Sequence, residues 1–536
     1  MPGNHIQCKN VLTADDLRQI GAFAEDFRKS GSLPALAQFF RDVFVADLVN
    51  DQDIVAGFIH DSSNLPGKAD ALCRPQSERE LAAIFRLCFS CGIPFTVSGG
   101  RSALTGSATP ESGVVISTVK MLSPPLTVDA GQKTVLSPVG VILEDMRRTV
   151  REQSGNKLYF PVDPTSRTDA FVGGAVACNA SGFTPGDVGA MRHWVTALDF
   201  ILPDGMKISA RRGEYMSKNG LFVIESLDGK KEFSVPRYPR PKIKNASGPY
   251  SAPDGAMDFV DLVIGSEGIF GIVTACEMRL ASSPCGCLDL FLSLPAEDNA
   301  VAFLDYLQKN IPGGLGQLTA LEYFGVNCRK FMSHENLLFR ADNQVGIYIQ
   351  EPLTDKSVED AAVAWLDRFE SAGCGIDDDA VIMLDNDHDR KIFMEARHSM
   401  PANALEVVQH RGTYTIMTDT VVPSENFREF LEFTHKIIRS EGLEYLSFGH
   451  FGDCHLHFTI LPEREKLTRA TEVYDQIIAE SARLGGVYSG EHGTGKRKRR
   501  DFLSCYGPEA VEQLRQCKAA VDPEFLLNRG NVVEYG

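Results

Sequence analysis

The chain has 536 residues, 43% hydrophobic and 23% charged, so it reads as a folded protein too long for one core, with room for roughly three or four domain-sized units. A formal net charge of −17 argues against nonspecific nucleic-acid binding, which needs a basic face. No apolar run approaches the roughly 20 residues of a membrane span, and the opening Met1-Pro2-Gly3-Asn4-His5 has no charged-then-apolar leader. The expectation is a cytoplasmic protein, with at most peripheral contact to the inner membrane.

Residues 1–50 read as a helical extension with its own packing face: Leu17, Ile20, Phe23 and Phe27, then Leu36, Phe39, Phe40 and Val43, recur at helical spacing. Ser77 and Glu80 form a capping box before the stripe Leu81, Ile84, Phe85 and Cys88, and Gly92 ends that helix. Pro94 to Val97 reads as a buried strand, followed by a glycine-rich run over 98–106 and a second strand at Val114–Ile116. A helix over 140–153 leads into a loop from Phe160 to Arg192 dense in Gly, Pro, Asn and Thr. Strand 194–202 and its return partner flank the turn Pro203-Asp204-Gly205. Residues 210–257, rich in Lys, Arg, Pro, Ser and Gly without periodicity, are expected to be an exposed insertion. Order resumes over Val260–Val273, and alternating helices and strands from 285 to 495 predict a second domain.

Thirteen cysteines invite a search for a metal cluster. The only CxxC, Cys88–Cys91, falls inside the capped helix, and Cys285 and Cys287 form an isolated CxC. With no run of four, the cysteines read as reduced, mostly packed thiols. A redox function would then have no internal iron–sulfur wire.

Adjacent glycines leaving a strand can bring backbone N–H groups against a phosphate. Ser98-Gly99-Gly100-Arg101-Ser102 has that form, although it matches neither the Rossmann fingerprint nor the P-loop. Three further segments follow in order: Pro161-Val162-Asp163-Pro164-Thr165-Ser166, Gly173-Gly174-Ala175-Val176-Ala177-Cys178-Asn179-Ala180-Ser181-Gly182, and Gly265-Ser266-Glu267-Gly268-Ile269-Phe270-Gly271-Ile272-Val273. Together they resemble the FAD domain of the vanillyl-alcohol oxidase and p-cresol methylhydroxylase superfamily, most closely the branch of D-lactate dehydrogenases, the glycolate oxidase flavin subunit and D-2-hydroxyglutarate dehydrogenase. The resemblance covers roughly residues 60–280 and returns at 397–536.

What the resemblance implies is an α+β fold: a two-subdomain FAD-binding domain of p-cresol methylhydroxylase type over 51–284, an α+β substrate (cap) domain with an antiparallel sheet over 285–495, and a segment 496–536 returning to the FAD domain. It implies that Ser98, Gly99, Gly100, Arg101, Ser102, Thr105 and Gly106 wrap the FAD pyrophosphate. Pro161, Asp163, Thr168, Gly173, Gly174, Asn179 and Gly182 would join them, with Glu267, Gly268 and Ile272 near the flavin and Asn528 in the closing segment. Covalent members carry a histidine near the first loop; Arg101 to Thr105 contains none, so noncovalent FAD is expected.

The sharpest chemical signal is Gly449-His450-Phe451-Gly452-Asp453-Cys454-His455-Leu456-His457-Phe458, followed later by Gly490-Glu491-His492-Gly493. Alternation puts His455, His457 and Thr459 on one strand face, where same-face neighbours stand about 6.5–7 Å apart and two imidazoles can converge on one ion. Histidine and carboxylate without thiolate suit zinc, manganese or iron with a position left open. By the resemblance, His450, His457 and Glu491 coordinate a divalent metal, commonly zinc, His492 is the base, and Arg397 binds the substrate carboxylate. The family usually has asparagine at the place of His455, which points to an altered or extra ligand here. A lysine that binds the distal carboxylate in the hydroxyglutarate enzymes aligns with Met417, so a monocarboxylate suits this chain better than a dicarboxylate.

Lys496-Arg497-Lys498-Arg499-Arg500 reads as a solvated face or as help in holding FAD phosphates or an acidic partner. The tail over 522–530 is similar to the family's closing segment, with Arg529 replacing a proline. The expected activity is oxidation of a small 2-hydroxy acid, D by analogy, with hydride passing to FAD. Electrons would leave to an external iron–sulfur or electron-transfer flavoprotein subunit, a quinone or a soluble carrier; a homodimer is compatible with the chain. A silent or differently specific flavin subunit of an oxidase complex is the alternative, but it should lack the histidine cluster. A flavin-free metal hydrolase or a phenol or lactone oxidase fits the combined motifs less well.

Overall fold

The computed structural model describes residues 3–226, 229–325 and 327–535. Two α+β subdomains make up the N-terminal half. In the first, strands Leu48–Val49, Ala71–Cys73, Val114–Ser117 and Phe95–Ser98 lie in that order, the last three parallel. Helix Glu78–Cys91 packs on them, with the Ser77 hydroxyl accepting the Glu80 N–H, Gly92 left-handed at its end, and Leu81, Ile84, Phe85 and Cys88 fully buried. The second is an antiparallel sheet of six strands, with Val195–Ile201 between Met206–Arg211 and Ile272–Arg279.

The C-terminal half centres on an antiparallel sheet of eight strands. Tyr445–His450 and His455–Ile460 form a hairpin within it, paired so that His450 faces His455 across the strands. Helices Glu297–Asn310, Val358–Ala372, Phe427–Ser440 and Leu467–Arg483 cover one face, burying Leu304, Trp365, Phe430 and Ile477 against Leu290, Ile347 and Phe458. The chain then returns through Arg499–Val521, and a backbone bridge between Phe95 and Leu527 seats the tail beside the first sheet.

Two expectations change here. The first 50 residues contain helices Ala14–Ser30 and Leu33–Phe44, but strands His5–Gln7 and Lys9–Asn10 precede them and pair with Leu221–Ser226 and Met206–Arg211. Ile6, Ile20, Leu36 and Phe40 share one core with Leu81 and Phe85, so this is an integral layer rather than a separate extension. Periodicity does not reveal a strand whose partner lies about 200 residues away. Nor is 210–257 an exposed insertion. It contains the hairpin Leu221–Ser226 and Gly229–Ser234, and beyond it Tyr238, Ser247 and Ala252 are buried. Its irregular backbone is satisfied by the other half of the molecule: Ala246 N–H donates to Ser489 O and Gly248 N–H to Thr494 Oγ1.

Candidate active site

A cavity of about 830 Å³ lies between the halves. Its wall carries Gly99, Gly100, Arg101, Ser102, Asp163, Gly173, Gly174, Gly182, Glu267, Gly268, Ile272 and Asn528 from the FAD-like set, and His450, Glu491 and His492 from the histidine set. Motifs almost 400 residues apart therefore share one space. Gly100 is required by a close backbone approach: a Cβ there would stand 1.8 Å from Asp169 O. Asn528 fastens the tail here, accepting from Val97 N–H and donating to Gly268 O.

Six of the expected cofactor residues lie off that wall. Ser98 and Pro161 are buried beneath it, and Thr168 is exposed, donating to Asp169. Asn179 accepts the Arg192 N–H, which orders the neighbouring turn. Thr105 and Gly106 are covered by the returning segment: Thr105 O accepts N–H bonds from Lys496 and Arg497, and Lys496 Nζ reaches Gly106 O.

The histidine cluster is built by the hairpin and the Gly490 turn. His450 Nε2 lies 3.1 Å from Glu491 Oε2, and His457 Nε2 lies 3.2 Å from Glu491 Oε1. Their other nitrogens are held from behind: His450 Nδ1 donates to Glu322 at 2.8 Å, and His457 Nδ1 to Thr418 O at 3.1 Å. A metal-ligating imidazole needs this support on its far nitrogen, so these three residues fit a divalent cation. His492 stacks on His457 with ring centroids 5.4 Å apart, its Nδ1 3.3 Å from Asp419 Oδ2.

Sequence reasoning missed four residues that set the cluster's charge. Glu322 lies in the apolar strand Ala320–Phe324 and holds both His450 and Arg397, the latter at 3.2 Å. Burial disfavours its ionisation, but His450 and Arg397 outweigh this and hold its carboxyl down at about 2. Asp419 accepts from His455 Nε2, Ser489 Oγ, His492 N–H and Lys498 Nζ, and the neighbouring His492, Lys498 and His455 hold its carboxyl well below the usual carboxylate range despite burial. Lys498 belongs to the basic run, which is a solvated face only in part: Arg497 and Arg500 are exposed, whereas Lys498 is buried against Asp419, and Arg497 donates to Ser63 O and Arg499 to Gly530 O.

Lys244, from the segment expected to be exposed, is almost wholly buried, with Nζ 3.2 Å from Glu491 Oε2 and 3.8 Å from Asp453 Oδ2. The signal for Glu322 was a lone carboxylate in an apolar run; nothing local marked Lys244.

The electrostatics divide the histidines. Burial pushes His492 down to about 4, with Lys498 adding to the effect against the pull of Asp419. Burial and Lys244 take His455 down to about 3. In His450 the burial penalty and Lys244 are outweighed by Glu322 and Glu491, and it rises to about 9. At neutral pH His492 is thus an uncharged imidazole able to take a proton. Arg397 sits behind the wall, its guanidinium 4.3 Å from the ring of Phe183, which lines the cavity.

Residues 69–210 match the FAD binding domain family, and 349–532 match the family described as FAD linked oxidases, C-terminal domain. The D-lactate dehydrogenase of Anaerostipes hadrus is 25% identical over 93% of this chain and 97% of its own length. That of Archaeoglobus fulgidus is 27% identical over 86% and 90%, and the D-2-hydroxyglutarate dehydrogenase of Xanthomonas citri pv. viticola 25% over 87% and 89%. In fold, the chain is similar to p-cresol methylhydroxylase with substrate bound (TM-score 0.66, 12% identity, 98% of both chains) and to the 4-ethylphenol oxidase of Gulosibacter chungangensis (0.65, 16%, 98% of both). At these identities the structural matches speak for the fold alone.

Proposed function

We infer from one premise, that the chain belongs to the FAD-linked oxidases, that it is a dehydrogenase oxidising the alcohol carbon of a small D-2-hydroxy acid to the 2-oxo acid. The observation that carries this reading is the shared cavity, in which His450, Glu491 and His492 face the same space as the glycine loops. Bound FAD supplies the two-electron acceptor. His450, His457 and Glu491 would hold a divalent metal, zinc, manganese or iron, whose Lewis acidity lowers the pKa of the substrate hydroxyl.

The chain's own residues do the rest. His492 takes the hydroxyl proton on Nε2, while Asp419 orients the ring through Nδ1. Arg397 meets the substrate carboxylate by exchanging part of its pairing with Glu322. Lys244 is engaged by Glu491 and Asp453, so it does not replace the cation missing at Met417, and a monocarboxylate such as D-lactate fits best. Among the described residues no helix is long and apolar enough to cross a membrane. Electrons leave to an external carrier, an iron–sulfur or electron-transfer flavoprotein subunit or a quinone.

Anaerobic bleaching of the protein's flavin with a panel of D- and L-2-hydroxy acids tests the proposal. Short D-monocarboxylates should reduce it fastest, and His492→Ala should slow that reduction by roughly 10²–10⁴-fold. No bleaching by any member of the panel would remove the proposed substrate class, and near-wild-type reduction in His492→Ala would remove the base.

A further inference from the structure

His455 has no place in the chemistry so far, yet it stands inside the cluster. It shares a strand face with His457 and lies directly across the hairpin from His450. Ring centroids are 4.7 Å apart for His455–His457, 5.3 Å for His450–His455 and 6.0 Å for His450–His457. Three imidazoles bound to one ion at about 2.0–2.1 Å would put their centroids about 4.5–5.2 Å apart at ligand angles of about 90–109°. The triangle is already close to that size. Donor-capable atoms of His450, His455, His457 and Glu491 all lie within 4.8 Å of one another.

The hydrogen bonds of His455 decide what it can offer. Its Nε2 lies 2.9 Å from Asp419 Oδ1, a carboxylate that can only accept, so Nε2 carries the proton and Nδ1 keeps its lone pair. That Nδ1 is buried and has no hydrogen-bond partner, an arrangement that is ordinarily unfavourable. Asp453 Oδ2 and Thr459 Oγ1, at the same hairpin, also lack hydrogen-bond partners. The ring is closely confined: a Cβ on Gly490 would meet its Cε1 and Nε2 at 2.8 Å, so the turn that presents Glu491 can pass only because residue 490 is glycine. Asp419, whose carboxylate also lies within reach of His457 and Glu491, is unsuited as a donor, because both its oxygens are engaged by hydrogen bonds.

We propose that His455 is a fourth protein ligand, giving the divalent metal three imidazoles and one carboxylate. This rests on the reading of His450, His457 and Glu491 as ligands and narrows the cation to one that accepts five or six donors, so that substrate oxygens still have a position. The test is cobalt(II) titration of the chelator-stripped, flavin-loaded protein, read by cobalt absorbance in the visible rather than by turnover. His455→Asn should bind cobalt at least about tenfold more weakly and with an altered band shape, with flavin content unchanged. A crystal structure of the cobalt-loaded wild type should show the ion bonded to a ring nitrogen of His455, which needs no variant to fold. Unchanged affinity and spectrum in His455→Asn, or an ion bonded only to His450, His457 and Glu491, overturns the fourth ligand and leaves the three-residue site standing. No cobalt bound by wild type overturns both.

Discussion

The two walls of the cavity are made of different material. The N-terminal wall works by what it lacks: without side chains at Gly99, Gly100, Gly173 and Gly174, backbone can approach an extended phosphate-bearing ligand. The C-terminal wall works by charge, with four carboxylates (Glu322 and Asp419 buried, Asp453 and Glu491 partly buried) set against Lys244, Arg397, Lys498 and the histidines. A wall of backbone tolerates little added volume, whereas a wall of charges tolerates little removal of a partner. The two can therefore be broken separately.

The largest effect should come from the charged wall. Glu491→Gln removes the group on which both His450 and His457 converge, and should slow substrate-dependent flavin reduction by about 10³-fold, the several kcal/mol ascribed to metal polarisation. Flavin absorbance should stay normal; loss of flavin together with rate would merge the two walls. The converse is Gly100→Val, whose Cβ meets Asp169 O at 1.8 Å. It should purify with little flavin and still bind metal, as a metal assay on the colourless protein would show.

Lys244→Met is expected to be milder, a roughly 10–100-fold loss of flavin-reduction rate, because it frees Glu491 without removing it. An unchanged rate would make Lys244 a structural residue only. The smallest effect belongs to pH. An unperturbed imidazole near 6.5 would be about three-quarters protonated at pH 6. His492 at about 4 stays neutral there and loses its basic form only as pH falls through about 4. Single-turnover flavin reduction should therefore change less than about twofold between pH 6 and 8. An acid limb near 6.5 would mean that burial does not hold His492 in its neutral form.

Much of both walls was legible before any tertiary information. The strand ahead of Gly99, the capped helix from Ser77 to Gly92 and the alternation of His455 and His457 all follow from local rules. Pairing partners were not: Glu322 reads as one polar residue in an apolar strand until His450 and Arg397 are brought to it. Charge density predicts exposure for the whole basic run, which holds for Arg497 and Arg500 but not for Lys498, which lies against Asp419, 79 positions away.

By itself the sequence determined which short elements form, where glycine leaves room for a ligand, and which donor types stand together along a strand, since these depend on backbone preference and near neighbours. Only the tertiary structure decided that residues 3–10 complete two sheets, that Lys244 enters the cluster, and which nitrogen of each histidine is left free. Those outcomes depend on contacts between chain segments far apart in sequence, and on charges whose effect appears only when burial removes water from between them.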